Sequence, residues 1–465
     1  MTQAGQYAEL PSLARPPARV FVGGQGARLA PEGAPRLPGS KYYTLRYLLN
    51  ALLAEGESVV HAPALSDDTA VLVRAMRALG AEARWERGSD DAWALHVRGC
   101  GGRPARPANG MIQAGNAGAA LRLLLGIGAL LPDVRFETNH PESLGRRPNA
   151  DLLDALRALG LEVEAREPGG LPPITLRGGP PIGGAVSVSG ARSSQYLSAL
   201  LYLGPLLRDG LDITVTDGLR SAPLIRMSLR ALAEAGVRVD ASADLLRFTI
   251  PGGQRFQPRE YRTPGDMPST AALVAAARAL DAPLRLAGLA PADEGARALV
   301  AALDTLDVPL AERPDEANGR TLATLGGARN TVAPVRELDC DPIIDSVPAL
   351  VALACMTPGE TRFINGANLR LKESDRIGDL CAELARAGAD VTPLSDGVIA
   401  RGQLDGIAGG VSVNAHDDHR LAQALAIIAI RSRAGLTIDG ADAVAKSYPW
   451  FYDDLRRMGA QIEAR

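Results

Sequence analysis

RAMRALGAEARWE, residues 74–86, reads as the end of an amphipathic helix, a glycine stop and an alternating strand. A left-handed glycine closes the helix, and the chain passes directly into a half-buried strand. The same sentence recurs as DALRALGLEVEA (154–165), LRALAEAGVRVDA (229–241), AALDTLDVPLA (301–311), AELARAGADVTP (382–393) and DLRRMGAQIEA (454–464). Five copies turn on Gly80, Gly160, Gly236, Gly388 and Gly459, and Asp307 stands in the remaining one. Copies spaced by about 70–80 residues are the mark of a repeated supersecondary unit. Further strands are expected at Val186 to Ser189, Leu211 to Thr216 and Leu246 to Ile250, with apolar helices between. The chain is therefore expected to be α/β, built from six similar units in two lobes of three.

The length of 465 residues suits two or three domains, and 46% hydrophobic with 22% charged residues is ordinary globular usage. With 50 Lys+Arg against 53 Asp+Glu the net charge is -3, which gives no global attraction to nucleic acid or to an anionic membrane. Any anion site must be local. Cys100, Cys340, Cys355 and Cys381 form no CxxC pair and sit mostly in apolar stretches, as reduced thiols of a cytoplasmic protein would. The start MTQAGQYAEL has no basic-then-apolar pattern, and the apolar runs Leu421 to Ile430 and Val347 to Cys355 are too short to span a bilayer. Residues 1–36, rich in Gly, Pro and Ala, read as a mostly flexible extension with one short strand at Arg19 to Val22.

The chemistry is expected at helix beginnings. Helix N-termini carry partial positive charge and favour acids, yet here they repeatedly hold cations. Lys41 and Arg46 open the helix behind Leu37-Pro38-Gly39-Ser40, and Arg122 follows Gly115-Asn116-Ala117-Gly118 in an otherwise apolar helix. Lys372 and Arg376, four apart with Glu373 between, are expected to open a helix with its stripe at Ile377, Leu380 and Leu384. Arg420 follows Asp417, Asp418 and His419. Arg122 in particular needs an anionic partner. Converging helix ends with such cations would bind a ligand carrying several phosphates or carboxylates.

Other segments fit that cavity. Ser193-Ser194-Gln195 precedes a helix, where paired hydroxyls either cap it or hold a phosphate. Arg146-Arg147-Pro148 opens another. Asp345, among apolar neighbours, is either a base of raised pKa or an N-cap, and Lys446 is expected to be exposed. No GxxxxGK[ST], complete GxGxxG or HExxH occurs, and the histidines are scattered, so neither a cofactor nor a metal is called for.

The segments LPGSK (37–41), GNAGAALR (115–122), RRP (146–148), SSQYLSALL (193–201), GDMPSTAALVAAA (265–277), LRLKESDRI (369–377) and DDHRLAQALAI (417–427) together resemble the 3-phosphoshikimate 1-carboxyvinyltransferase (5-enolpyruvylshikimate-3-phosphate synthase) family, from about residue 37 onward. The resemblance implies a two-lobed inside-out α/β barrel of six βαβαββ units, the enolpyruvyl transferase fold. The lobes would be 37–264 and 265–465, the second completed by part of the N-terminal segment. It implies transfer of an enolpyruvyl group from phosphoenolpyruvate to the 5-hydroxyl of shikimate 3-phosphate with release of phosphate, by a cytoplasmic monomer of aromatic amino acid biosynthesis. By matching positions, Lys41, Gly118, Arg147, Gln195, Arg376, Arg420 and Lys446 would hold phosphoenolpyruvate. Tyr42, Arg46, Ser193, Ser194, Ser221, Asp345, Asn368 and Lys372 would hold shikimate 3-phosphate. Asp345 would act as base toward the attacking hydroxyl and Glu373 would move the proton at carbon, with Lys41 and Lys446 assisting.

The chain departs from the family near the acceptor. Where the family reads SISNR after LPGSK, this sequence has Tyr42-Tyr43-Thr44-Leu45-Arg46; Ala119, Leu123 and Leu224 depart as well. Enolpyruvyl transfer to a related cyclic alcohol is one alternative these changes raise, and a non-catalytic binder of phosphorylated metabolites is another. A UDP-N-acetylglucosamine enolpyruvyl transferase would share the fold, but that family resembles KNAA after its first loop and uses a loop cysteine that none of the four cysteines matches.

Overall fold

The computed structural model describes residues 9–11, 15–23, 32–88, 92–289, 294–315, 319–324 and 335–465. All six helix-to-strand corners fall where the repeat puts them. Helices Asp67–Ala78, Ala150–Ala158, Ala222–Glu234, Glu294–Thr305, Gly378–Arg386 and Phe451–Arg457 run into strands Glu82–Arg87, Glu162–Arg166, Asp240–Ala241, Leu310–Asp315, Asp390–Pro393 and Ile462–Ala464. Each corner is left-handed: φ is +96° at Gly80, +95° at Gly160, +78° at Gly236, +95° at Gly388 and +106° at Gly459. Asp307 adopts the same conformation at +59°, despite its side chain. An Asp tolerates this region better than most residues.

Five of the six corners belong to small mixed sheets wound in one way. Strand Met111–Gln113 leads through helix Gly118–Gly128 to the parallel strand Asp133–Glu137; helix Ala150–Ala158 then leads into the hairpin Glu162–Arg166 and Leu171–Arg177. The hairpin's second strand pairs antiparallel with Asp133–Glu137, so the last two strands exchange order in the sheet. Strand Gly184–Gly190 and strand Arg336–Asp339 begin two more units of the same pattern. Two others borrow a strand from far along the chain. Glu260–Arg262 supplies the parallel edge beside Glu57–His61, and Arg19–Val22 lies between Leu436–Asp439 and Ile462–Ala464, antiparallel to both. In the sixth, strands Leu284–Leu289, Gly319–Thr324 and Leu310–Asp315 form a three-stranded sheet among the described residues.

The chain divides into two compact units, one built on Ser40–Thr263 and the other on Pro264–Arg465 with residues preceding Ser40. In the second, helices Met267–Leu280, Val347–Ala354 and His419–Arg431 pack on one another. They are buried nearly all round, as helices without a polar face must be. Helices Glu294–Thr305, Gly378–Arg386 and Phe451–Arg457 are buried on one side only. In the first unit, helix Gly118–Gly128 packs on helix Ser194–Leu203 so closely that a Cβ at Gly126 would lie 2.6 Å from the Ala199 carbonyl oxygen. Cys340, Cys355 and Cys381 are buried and all four thiols are free; burial pushes the Cys355 thiol up to about 12. Within the N-terminal 36 residues, 1–8, 12–14 and 24–31 lie outside the described residues. Val20 and Val22 are fully buried in the sheet, and the Arg36 N–H donates to Asp454 at 2.8 Å. No helix among the described residues is long and apolar enough to cross a membrane.

Candidate active site

In the first unit the functional side chains begin at helix Lys41–Leu53. Ser40 stands at its N-cap without a side-chain cap, and Lys41 occupies its first position. The unfavourable cation is offset by Asp68, whose carboxylate lies 3.2 Å from Lys41 Nζ with both side chains buried. Sequence reasoning missed Asp68, because an acid in the first turn of helix Asp67–Ala78 needs no further explanation. One turn later Arg46 is buried, donating to Ser228 Oγ at 2.9 Å and to the carbonyls of Tyr42 and Leu224, each at 3.0 Å. Burial lowers the proton affinity of this guanidinium, and Tyr202 and Tyr43 partly restore it. Ser228 Oγ lies 3.0 Å from Ser198 Oγ, and Ser198 donates to the Ser194 carbonyl at 3.1 Å, so hydroxyls link Arg46 to the start of helix Ser194–Leu203.

That start carries Ser193 as N-cap, its hydroxyl oxygen accepting from the Gln195 N–H at 3.3 Å. Ser194 is buried, and Ser221 stands at the N-cap position of helix Ala222–Glu234 in a left-handed conformation, φ +55°, without a side-chain cap. Tyr42 is half-buried in the first turn of its helix. Arg147 is buried against the start of helix Gly118–Gly128, where a Cβ on Gly118 would come within 2.6 Å of its Nη1. Neutral oxygens accept from Arg122: Asn149 Oδ1 at 3.2 Å, Gln195 Oε1 at 2.6 Å and the Pro148 carbonyl at 3.2 Å. The Tyr196 ring lies 5.3 Å from its guanidinium carbon.

The second unit gathers a denser cluster around Arg376. Its Nε donates to Asp418 at 2.7 Å, Nη1 to Asp345 at 2.6 Å, and Nη2 to Glu373 at 2.8 Å and Asp418 at 3.1 Å. Glu373 also meets Lys446 Nζ at 2.9 Å, and Asp345 meets Lys372 Nζ at 3.5 Å. Arg420 lies 3.5 Å from Asp266 and donates to Gln423 at 3.1 Å. Asp418 caps helix His419–Arg431 through the Arg420 N–H, and it also accepts from Ser374. Lys372, Arg376, Arg420 and Lys446 are thus matched by Asp345, Glu373, Asp418 and Asp266, which is how closely packed charges survive burial. Sequence reasoning quoted Asp418 and passed over it. Its signal was the acid two residues before a buried arginine at a helix start.

Three expectations are corrected here. Lys372, Glu373 and Arg376 do not open a helix; they lie in the loop between the 3-10 turn Ala367–Leu371 and helix Gly378–Arg386. The helix starts later because Asp375 accepts the Ile377 and Gly378 N–H groups while Asp379 accepts the Asp375 N–H. Asp345 does not have a raised pKa. Burial acts upward, but Lys372, Arg376 and Arg420 together outweigh it and hold the carboxyl well below the usual range. Lys446 is not exposed; it is buried at the end of the 3-10 turn Ala441–Lys446. For Arg376 burial likewise opposes the charge, and Asp418, Glu373 and Asp345 more than restore it. Asn368, half-buried in the 3-10 turn, lies four residues before Lys372.

The family model described as EPSP synthase (3-phosphoshikimate 1-carboxyvinyltransferase) matches residues 28–455. The chain belongs to the EPSP synthase family. Among curated relatives, a 3-phosphoshikimate 1-carboxyvinyltransferase of Deinococcus radiodurans is 42% identical over 432 residues, covering 93% of this chain and 94% of that one. One of Halorubrum lacusprofundi is 34% identical over 448 residues, covering 93% and 96%. Among solved structures, the EPSP synthase of Acinetobacter baumannii superposes with a TM-score of 0.77 at 25% identity, covering 96% of this chain and 99% of that one. The enolpyruvyl transferase NikO of Streptomyces tendae does so at 0.71 and 20% identity, covering 96% and 99%, a likeness of fold alone. The enolpyruvyl transferase fold accounts for the similarly wound sheets, and EPSP synthases act in the shikimate pathway.

Proposed function

We propose that this EPSP synthase family member transfers the 1-carboxyvinyl group of phosphoenolpyruvate to the 5-hydroxyl of shikimate 3-phosphate, releasing inorganic phosphate. The observation that carries the residue assignment is the ring of carboxylates around Arg376, because it couples acid–base groups to anion-binding cations. Before substrate binds, Asp345 and Glu373 are paired with Lys372, Arg376 and Lys446. An arriving phosphate or carboxylate competes for those cations. Each cation drawn toward the ligand holds its carboxylate less firmly, so proton affinity rises at Asp345 when substrate is in place.

In the reaction the 5-oxygen bonds to the central carbon of phosphoenolpyruvate while a proton reaches its methylene carbon. Asp345 takes the hydroxyl proton and Glu373 gives the proton to carbon. The tetrahedral intermediate then loses phosphate by breaking the carbon–oxygen bond, Glu373 recovers a proton from the new methyl group, and the proton held by Asp345 passes to the departing phosphate, so both carboxyl groups return to their starting state. Lys446, against Glu373, steadies the carboxylate and the departing phosphate. Arg376, Arg420, Arg147 and Gln195, with the start of the helix at Gly118, are assigned to phosphoenolpyruvate. Ser193, Ser194, Ser221, Arg46, Asn368 and Lys372 are assigned to the acceptor, and Lys41 to both. Four free thiols support a reducing, cytoplasmic setting, and the assigned enzyme is a monomer without a cofactor.

Tyr42 favours a second reading, in which the acceptor site is reshaped for a related cyclic alcohol. A phenol on the opening turn, beside Lys41 and with its carbonyl held by Arg46, takes space that a serine leaves free. Phosphate release from phosphoenolpyruvate should be measured with shikimate 3-phosphate and with unphosphorylated or modified shikimates. Turnover with the first alone supports the main reading. Turnover only with a modified shikimate supports the second, and silence with every acceptor refutes both.

A further inference from the structure

Asn149 occupies the N-cap of helix Ala150–Ala158, yet its side chain caps nothing there. An Asn at that position ordinarily stabilises its helix by accepting an N–H of the first turn. Here it is fully buried and committed elsewhere: Nδ2 donates to the Arg147 and Gly170 carbonyls, both at 3.0 Å, and Oδ1 accepts from Arg122 Nε at 3.2 Å. Arg122 in turn donates to Gln195 Oε1 at 2.6 Å. The Pro148 carbonyl between Arg147 and Asn149 accepts from Arg122 at 3.2 Å and from the Tyr196 hydroxyl at 2.6 Å. A guanidinium only donates, so the amide atoms facing it must be oxygens. That fixes both amides. With its oxygen on Arg122, Gln195 has its NH2 group at the opposite end.

We propose that Asn149 and Arg122 are positioning residues that lock Gln195 as a hydrogen-bond donor toward an anionic ligand, the phosphoenolpyruvate of the reading above, on which this inference rests. A Gln free to rotate would present its carbonyl oxygen to an anion half the time and repel it. Locked by Arg122, it presents N–H alone.

The test is steady-state kinetics on the full chain with Asn149→Ser, Gln195→Met and the double variant, with thermal unfolding of each. Serine can cap the helix in the ordinary way but cannot reach Arg122 or replace the amide on the Arg147 and Gly170 carbonyls, so the unfolding midpoint should fall. A merely structural Asn149 would show that loss of stability without a selective change in one KM. We expect the KM for phosphoenolpyruvate to rise about tenfold, with that for shikimate 3-phosphate within about twofold. In the Gln195→Met background the Asn149 effect should shrink to within about twofold. Full multiplication of the two effects, or an Asn149→Ser enzyme with an unaltered KM, overturns the positioning role. An unaltered KM in Gln195→Met instead sinks the assignment of Gln195 itself, and this inference with it. Should Asn149→Ser not fold, Arg122→Lys, which can reach only one of the oxygens at a time, is measured by the same criteria.

Discussion

Lys446 Nζ lies 2.9 Å from one oxygen of Glu373, and the other oxygen of that carboxylate accepts from Arg376 at 2.8 Å. A group meant to move a proton is thus clamped between two cations. Removing one clamp should alter chemistry more than architecture, because Arg376 still has Asp418 and Asp345. In Lys446→Met we expect kcat for phosphate release to fall at least about 100-fold, the usual scale for disturbing acid–base catalysis. A KM change with kcat intact would contradict the role.

The depressed pKa of Asp345 has a definite sign in stability. Its folded value lies below its unfolded one, so its contribution is complete above the unfolded value and is lost as pH falls through the folded one. Denaturant unfolding of the native protein and of Asp345→Asn should therefore differ by a constant above about pH 5 and converge below about pH 4. Convergence on raising the pH would point to a raised carboxyl instead.

Gly118→Ala places a methyl group 2.6 Å from Arg147 Nη1 unless the arginine moves. The clash is with the end of a side chain, so stability should change by less than about 1 kcal/mol. Giving way takes the Arg147 guanidinium off the helix start at Gly118. The KM for phosphoenolpyruvate should accordingly rise while that for the acceptor stays. Equal increases in both would show that Arg147 is not specific to phosphoenolpyruvate.

Asp307 sits at a corner where the other five copies carry glycine, and its carboxylate lies 2.6 Å from Arg336 with both side chains largely buried. Relieving a left-handed non-glycine residue returns about 1–2 kcal/mol. Leaving a buried arginine without its partner costs about 3–5 kcal/mol. The second effect wins, so Asp307→Gly should lower stability by about 2 kcal/mol, and Asp307→Asn should fall between. Denaturant midpoints decide it.

The corner at Asp307 also shows what the sequence made legible. Period and turn chemistry exposed all six helix-to-strand passages, including the one without glycine, because those features are local. The seven motif segments likewise carried the family. What stayed hidden was pairing at a distance. Lys41 with Asp68, and Arg376 with Asp418, are separated by 27 and 42 residues, and neither acid looked unusual where it stood. Asp345 was misjudged for the same reason: apolar neighbours in sequence suggested a lonely carboxyl, while the cations that hold it ionised come from residues 372, 376 and 420. Lys372 and Arg376 looked helical because their spacing of four fitted, but the Asp375 and Asp379 caps start the helix after them.

Strand Arg19–Val22 lies between strands Leu436–Asp439 and Ile462–Ala464. It leaves the ribosome long before either of its neighbours. At about 5–20 residues per second, some tens of seconds separate the first partner from the others during translation. Until then its apolar edge has no mate of its own, so this sheet cannot close before both late strands have emerged.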